Sequence, residues 1–426
     1  MRSISDAIDE KWNREFRNLM LFDMEWLKDF SKISDREKKS FLVNDVENPQ
    51  FKMKSTVDTS QFVNIRFGFT ELKEEILNTE INSTVRDLYE HKIDNQLLRL
   101  QVLEASLSHQ DEEYHQHSAK LYGQPKSRYF RYVATRVKCL IDESEHKDAL
   151  AAKRRLKKIF AKIDTTGNTI TAEMLPKVVK EKGETLSAKA VAQIFKSVVD
   201  KYGLSEWKID LDTTGERRRF AVSALGKTVF VPTDERLLQR KHPLKEIGVR
   251  AIAEHEIGVH ARRAFNGAKQ PLKLLEIGLH SYIKGEEGLA SYIQQHIEGA
   301  DEFYGFDRYL ALSLAIGLDG EKRDFRGVYE CMLDYYLLML LPNEDALYRA
   351  QQGAWEVCLR IFRGTTGAGV GTVFTRDLVY LEGNVGIWKL LDAHPKILEH
   401  LFIGKFDPLN VIHVEALREL DLLPMW

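Results

Sequence analysis

Two histidines and a glutamate within six residues constrain this chain most. His255, Glu256 and His260 lie in the run AIAEHEIGVHARRAF, whose mixture of apolar and charged residues favours a helix. Catalytic zinc sites use neutral imidazoles and a third protein ligand. A carboxylate beside the first histidine is suited to take a proton from a water that attacks a carbonyl. The run therefore predicts a hydrolytic metal site on a helix.

The spacing of these histidines is one residue longer than the common H-E-x-x-H pattern. Residues five apart on a regular α-helix differ in direction by about 140°. A single π-bulge would absorb the extra residue, and Gly258 lies where the helix can deform most easily. Either the helix is distorted here, or His255 and His260 are polar residues on a helix surface and share no ion.

A third ligand should be a downstream histidine or acidic residue. Glu286 and Glu287 precede GLASYIQQHI, which is typical of a helix start. Carboxylates in a first helical turn also stabilise the helix dipole without any metal. His280 and His296 are alternative third ligands, and spacing alone does not choose among these residues.

The runs HEIGVHARRAFNG and GEEGLA together resemble a known pattern, HEIGTH…R..NG…QEGLA. It belongs to the bacterial QEGLA-motif (flavohaemoglobin expression-modulating) proteins and to the microtubule-associated tyrosine carboxypeptidases of animals. The resemblance implies that His255, His260 and Glu287 bind Zn²⁺, and that Glu256 is the catalytic base.

The likeness extends from about residue 121 to the C-terminus. It includes LYGQP at residues 121–125 and FTRD…Y…G at residues 374–383. Two positions depart from the pattern, because Glu286 replaces the usual Gln and Val259 the usual Thr. Neither position is a ligand, so the implied zinc site is unchanged.

Composition limits the other classes of function. The 426 residues are 43% hydrophobic, and 62 basic residues balance 64 acidic ones, so no global attraction to nucleic acid or anionic membrane is predicted. Three widely spaced cysteines argue against a disulfide framework and for a reducing compartment. The polar N-terminus is not typical of a secretory signal. We expect a cytoplasmic protein with no nucleic-acid or membrane partner, and the sequence leaves its oligomeric state open.

The hydrophobic pattern predicts a mostly helical α+β fold. Residues 1–120 are expected to form an N-terminal helical region, and residues 121–426 a zinc metallopeptidase catalytic domain. Alternating residues near 207–211, 219–223 and 228–232 predict three short strands. The expected architecture is a gluzincin-like metallopeptidase, with a small, mainly antiparallel sheet next to the active-site helix.

The predicted function is that of a zinc carboxypeptidase, whose substrate is a peptide or protein C-terminus with a possible preference for tyrosine or another aromatic residue. Arginine suits a terminal carboxylate because its planar fork pairs bidentately. Arg263 and Arg363 are the candidate carboxylate contacts, and Tyr380 is a candidate oxyanion or substrate contact. A regulatory zinc-binding protein and a metal hydrolase acting on a non-peptide amide are the alternatives.

Overall fold

The computed structural model describes residues 6–20, 36–51, 60–80, 82–144, 149–181, 183–215, 220–223, 226–239, 244–340 and 345–425. The predicted predominance of helix is confirmed in these ranges. The first half of the chain contains a helical segment at residues 36–42 and seven longer helices: α1 (Asp6–Leu19), α2 (Ser60–Thr79), α3 (Ser83–Leu107), α4 (Asp111–Tyr122), α5 (Ser127–Glu143), α6 (Leu150–Phe160) and α7 (Ala188–Lys201).

After the sheet the chain is helical again. The helices are α8 (Asp234–Leu238), α9 (Glu246–Ala253), a π-helix (Glu254–Ala261), α10 (Arg262–Ala268), α11 (Leu274–Ile277), α12 (Ile283–Glu298), α13 (Phe306–Ala315), α14 (Phe325–Met339), α15 (Ala346–Ile361), α16 (Leu378–Ala393) and α17 (Val411–Glu419). Short 3-10 helices occur at Ala172–Met174, Thr375–Asp377 and Pro395–Phe402.

Side-chain caps explain several of the helix starts. Asn82 accepts from the backbone N–H of Val85 at the start of α3, and Asp324 accepts from Gly327 at the start of α14. Each cap satisfies a backbone donor that has no partner within its own helix.

The three strands occur where they were predicted, as β1 (Lys208–Leu211), β2 (Ala221–Ser223) and β3 (Thr228–Val231). Their spatial order is β1-β3-β2, with β1 parallel and β2 antiparallel to β3. The expectation of a mainly antiparallel sheet is therefore wrong, because one of the two pairings is parallel. β3 is the central strand of the sheet. β2, which lies between β1 and β3 in the sequence, pairs with one edge of β3, and β1 pairs with the other edge.

Buried apolar residues form three large clusters. The first joins α5 and α6 to α13, α14 and α15, and it also buries Phe41 and Phe51. The second joins α1, α2 and α3 to the chain around α11, α12 and α16. The third packs α7 and the sheet against α9 and the π-helix. Residues before and after 120 share the first two clusters, and the proposed division into two regions stays a prediction.

No described helix has both the length and the apolar character that crossing a bilayer requires.

Candidate metal centre

The helix that carries the two histidines is distorted, which is one of the two interpretations that their five-residue spacing left open. Glu254–Ala261 is a π-helix, continuous with α9 before it and α10 after it. Its hydrogen bonds join residues five apart, so residues at that separation return to one face. The imidazole rings of His255 and His260 consequently lie 5.1 Å apart, centroid to centroid. The distorted-helix interpretation is thus the one that the structure supports.

Packing on two sides fixes the rotation of the π-helix. Ile257 and Ala261 are buried in the cluster formed with α7 and the sheet, whereas Val259 is buried in the cluster formed with α1–α3. Both histidines remain on a partly open face. The apolar residues between them therefore determine where the imidazoles are placed.

Gly258 is required by a buried carboxylate of the same helix. A Cβ at this position would lie 2.4 Å from Oε2 of Glu254 and 3.2 Å from the ring of Tyr202. That carboxylate accepts from Nζ of Lys201 and from the hydroxyl of Tyr202, each at 2.7 Å. The missing side chain of Gly258 therefore allows a bond between α7 and the distorted turn.

Glu287 is brought to the histidines by α12. One ligand atom from each of His255, His260 and Glu287 lies within 4.8 Å of the other two. Nε2 of His260 is 4.0 Å from Oε2 of Glu287, which is too long for a hydrogen bond. Two ligands at about 2.0–2.2 Å from one zinc ion can span such a distance. Among the residues that the structure describes, no other group of histidine, cysteine and acidic side chains meets this criterion.

The pKa values of the two imidazoles are shifted in opposite directions. Burial lowers the pKa of His255 to about 4, with a smaller contribution from His260, so this imidazole is neutral near pH 7. Its Nδ1 atom is buried and has no hydrogen-bond partner. Burial opposes the charge of His260, but the hydrogen bond that His260 donates to Glu286 and the charge of that carboxylate raise the pKa of His260 above the usual value. A metal ion at Nε2 of His260 would compete with a proton for that atom.

Glu286, Arg263 and Lys405 form a buried ionic network on the Nδ1 side of His260. Lys405 and Arg263 keep the pKa of Glu286 low despite its burial, so its carboxylate is ionised and can only accept hydrogen bonds. Nδ1 of His260 therefore donates to Oε1 of Glu286 at 2.9 Å, and Arg263 donates to Oε2 at 2.6 Å. Nζ of Lys405 lies 3.0 Å from Oε1. This arrangement leaves Nε2 of His260 facing Glu287, as a histidine supported for ligation requires.

Removing the carboxylate of Glu286 should loosen the metal centre. We expect Glu286→Ala to weaken zinc binding by about 10–100-fold, the usual effect of losing a group that orients a ligating histidine. Competition with a zinc-binding dye measures this affinity. Glu286→Gln, which keeps an acceptor for His260, is the matched control and should retain more affinity. Equal affinities in Glu286→Ala and the parent protein would contradict the role of this network.

The four other candidate site residues, Glu256, Arg263, Arg363 and Tyr380, have different surroundings. Glu256 is half-buried, and its carboxylate makes no hydrogen bond or ion pair with a described residue. Its charge acts on both His255 and His260. Arg263 is fully buried, and its guanidinium group donates to Oε2 of Glu286 and to the carbonyl oxygen of Phe406, each at 2.6 Å. Arg263 therefore supports His260, and its assignment as a substrate contact is corrected.

Arg363 and Tyr380 lie in a second cluster of charged residues, around Asp377. The charges of Arg376 and Asp377 act on Arg363, and those of Glu287, Arg376 and Asp377 act on Tyr380. Guanidinium groups lie over the Tyr380 ring, Arg308 at 4.5 Å and Arg360 at 5.7 Å from its centroid. The two predicted substrate contacts are thus brought together, apart from Arg263.

The alternative third ligands lie elsewhere. The ring of His280 packs between those of His91 and His413, with centroid distances of 5.0 Å and 4.6 Å. The ring of His296 stacks on Tyr292. Of the four predicted candidates, Glu286 accepts from Nδ1 of His260, and Glu287 is the one that joins the two histidines.

Sequence reasoning assigned no role to two cations of these clusters, Lys405 and Arg376. Lys405 reaches Glu286 from 119 positions further along the chain, and no local pattern indicates that contact. Arg376 lies inside the block at residues 374–383 that carries part of the family resemblance, and that block was the available signal.

The structure defines a predominantly helical protein in which two histidines and a glutamate gather around a π-helix. The sequence matches the microtubule-associated tyrosine carboxypeptidase family over residues 39–425. The chain belongs to that family.

Two curated relatives are distant. Microtubule-associated tyrosine carboxypeptidase 1 of Rattus norvegicus is 25% identical over 284 residues, covering 59% of this chain and 56% of that protein. The Homo sapiens protein of the same name is 26% identical over 183 residues, covering 42% of this chain and 35% of that protein. The matches therefore span about half of the relatives' length or less. No solved protein structure matches the chain, and both the gluzincin-like fold and the likeness to the bacterial proteins stay predictions.

Proposed function

We propose that this chain is a zinc-dependent carboxypeptidase that removes one residue, preferably tyrosine, from the C-terminus of a peptide or protein. The observation that carries the proposal is the gathering of His255, His260 and Glu287 around a π-helix, with Glu256 beside the first histidine. The name of the curated relatives supports the reaction and the residue removed.

The donor set fits zinc. Two imidazole nitrogens and one carboxylate oxygen form a ligand set that catalytic zinc sites use, and it leaves a coordination position open. A zinc ion held there would polarise the scissile carbonyl and acidify water. His255 would ligate as a neutral group, and Glu286 would hold His260 with its Nε2 atom towards Glu287.

Glu256 is the proposed general base. It accepts the proton of the attacking water and returns that proton to the nitrogen of the departing amino acid. Because no hydrogen bond or ion pair to a described residue occupies its carboxylate, both oxygens are available for this transfer. A site that served structure alone would have no use for a base in this position.

The substrate contacts that remain from the sequence analysis are Arg363 and Tyr380. The charge of Glu287 acts on Tyr380, and the charge of Asp377 acts on both Tyr380 and Arg363. The two residues would offer a phenol and a cation to a chain end held at the metal. The reducing, cytoplasmic setting expected from the sequence is consistent with three unpaired cysteines, Cys139, Cys331 and Cys358.

Digestion of a peptide library tests the reaction. Purified protein is incubated with peptides of mixed C-terminal residue, and the products are read by mass spectrometry. We expect loss of single C-terminal residues, which stops on chelation and returns when zinc is restored. Internal cleavage would contradict an exopeptidase, and zinc binding without any cleavage would favour a regulatory protein. Cleavage restricted to non-peptide amides would favour the other alternative.

A further inference from the structure

Four arginines surround a single buried aspartate next to the proposed metal centre. Asp377 ends the 3-10 helix Thr375–Asp377 and is 1% exposed. Nε and Nη2 of Arg360 donate to its two oxygens at 2.5 Å and 3.1 Å, and Nε of Arg308 lies 3.9 Å away. Arg363 and Arg376 are the other two arginines, and the charge of Asp377 acts to raise the pKa of each. Four guanidinium groups therefore lie around one carboxylate, and Arg360 alone donates hydrogen bonds to it.

The pairing within this cluster is uneven. Arg360 has taken both oxygens of Asp377. The guanidinium groups of Arg363 and Arg376 make no hydrogen bond or ion pair with any residue that the structure describes, and Nε of Arg363 is buried without a partner. Both side chains are half-buried, and the guanidinium of Arg363 lies over the Phe374 ring at 5.1 Å from its centroid. A guanidinium that is partly withdrawn from water and has no anionic partner is stabilised by a bound anion. The excess charge therefore indicates an anionic ligand.

The position of Arg376 is fixed from both sides. Thr375 is fully buried, and its backbone N–H donates to the hydroxyl of Ser118 at 2.7 Å. Asp377, on the other side, is held by Arg360. The backbone of Arg376 is consequently pre-organised, which lowers the entropy lost when its side chain binds a ligand.

The cluster lies close to the helix that carries the proposed ligand Glu287, because α16 begins directly after Asp377 and packs on α12. A Cβ at Gly383 of α16 would lie 3.3 Å from Cα of Gly288 of α12. Glu287 is among the charges that act on Arg376, together with Tyr380 and Tyr122. If Glu287 binds a metal ion, the ion balances the charge of its carboxylate. The positive charges of Arg376 and Arg363 would then not be balanced by Glu287. An anion bound by these two arginines would therefore lie next to the reacting centre.

We infer that Arg376, with Arg363 beside it, binds the terminal α-carboxylate of the substrate, and that Arg360 and Asp377 position this pair. The inference rests on the proposed function, which supplies a free chain end at the metal. Two guanidinium groups can present several parallel N–H donors to one carboxylate, which an internal peptide bond cannot match. The pair would thus make the enzyme an exopeptidase.

Binding and turnover of matched peptides test this inference. The probe is an N-terminally labelled hexapeptide that ends in tyrosine, prepared as the free acid and as the C-terminal amide. For the parent protein we expect tighter binding and faster cleavage of the acid. Arg376→Gln should raise KM for the acid by about 10–100-fold, the effect of losing about 1.5–3 kcal/mol of charged hydrogen bonds. Values for the amide should hardly change, and Arg376→Lys should restore part of the preference.

Controls separate failure of this inference from failure of the proposed function. Binding is also measured on Glu256→Gln protein, which needs no cleavage, and Arg154→Gln on the exposed face of α6 is the matched arginine control. If the parent protein cleaves the acid and Arg376→Gln keeps its preference over the amide, the inference fails and the proposed function stands. If the parent protein cleaves neither peptide, the proposed function fails, and the binding measurements still decide the role of Arg376.

Discussion

Glu256→Gln is expected to lower kcat by about 10²–10⁴-fold, the range that a positioned general base contributes. Glutamine has nearly the shape of glutamate but cannot accept a proton at neutral pH. The substituted carboxylate has no hydrogen bond or ion pair with a described residue, so its loss should not disturb the fold. Steady-state cleavage of a peptide ending in tyrosine measures the effect.

The same variant should keep its metal and its substrate affinity. His255, His260 and Glu287 are unchanged in it, so zinc content should equal that of the parent protein. A loss of activity accompanied by loss of zinc would mean that Glu256 helps to hold the ion. Activity within a factor of about three of the parent would contradict its role as the base, because even a weak base contributes more.

Gly383→Ala is expected to give the largest loss of stability, about 3 kcal/mol, at the upper end of the usual cost of overpacking. A Cβ at this position would lie 2.1 Å from the carbonyl oxygen of Lys284 and 3.3 Å from Cα of Gly288. Those atoms are backbone atoms of α12, and they cannot move without shifting the helix that carries Glu287. Zinc affinity should therefore fall together with the free energy of unfolding. Denaturant titration and a zinc-binding dye measure the two quantities.

Gly248→Ala is the matched control. A Cβ there meets only Oε2 of Glu298, at 3.8 Å, which is ordinary contact. Alanine in a helix interior is favoured over glycine by about 0.5–1 kcal/mol, so this variant should be at least as stable as the parent. Equal stability of Gly383→Ala and the parent would show that α12 and α16 do not need their close backbone approach.

The sequence was most informative at the metal centre. The five-residue spacing of His255 and His260 leaves two interpretations, and a shared ion requires a π-helix, which the structure contains. The choice of Glu287 over His280 and His296 came from resemblance, because helical spacing alone places a residue on a face and gives no distance between two helices. The strand positions were also predictable from alternation.

Long-range contacts set the limit of prediction. The direction of strand pairing depends on which edge of β3 each neighbouring strand contacts. Alternation of polar and apolar residues in β1 and β2 does not distinguish a parallel partner from an antiparallel one. Arg263 lies three residues after His260, and the sequence predicted that it contacts substrate. In the structure its guanidinium group is buried and donates to Glu286 and to the carbonyl of Phe406, which are distant in the sequence. A local pattern cannot reveal such partners.

Metal analysis of the purified protein tests the central claim most directly. Zinc is measured by mass spectrometry in the parent protein and in Glu287→Ala, after dialysis that removes loosely bound ions. The arrangement of His255, His260 and Glu287 predicts one zinc per chain in the parent and substoichiometric zinc in the variant. A parent protein without stoichiometric metal, or a variant that retains as much zinc as the parent, would contradict the assignment of this site.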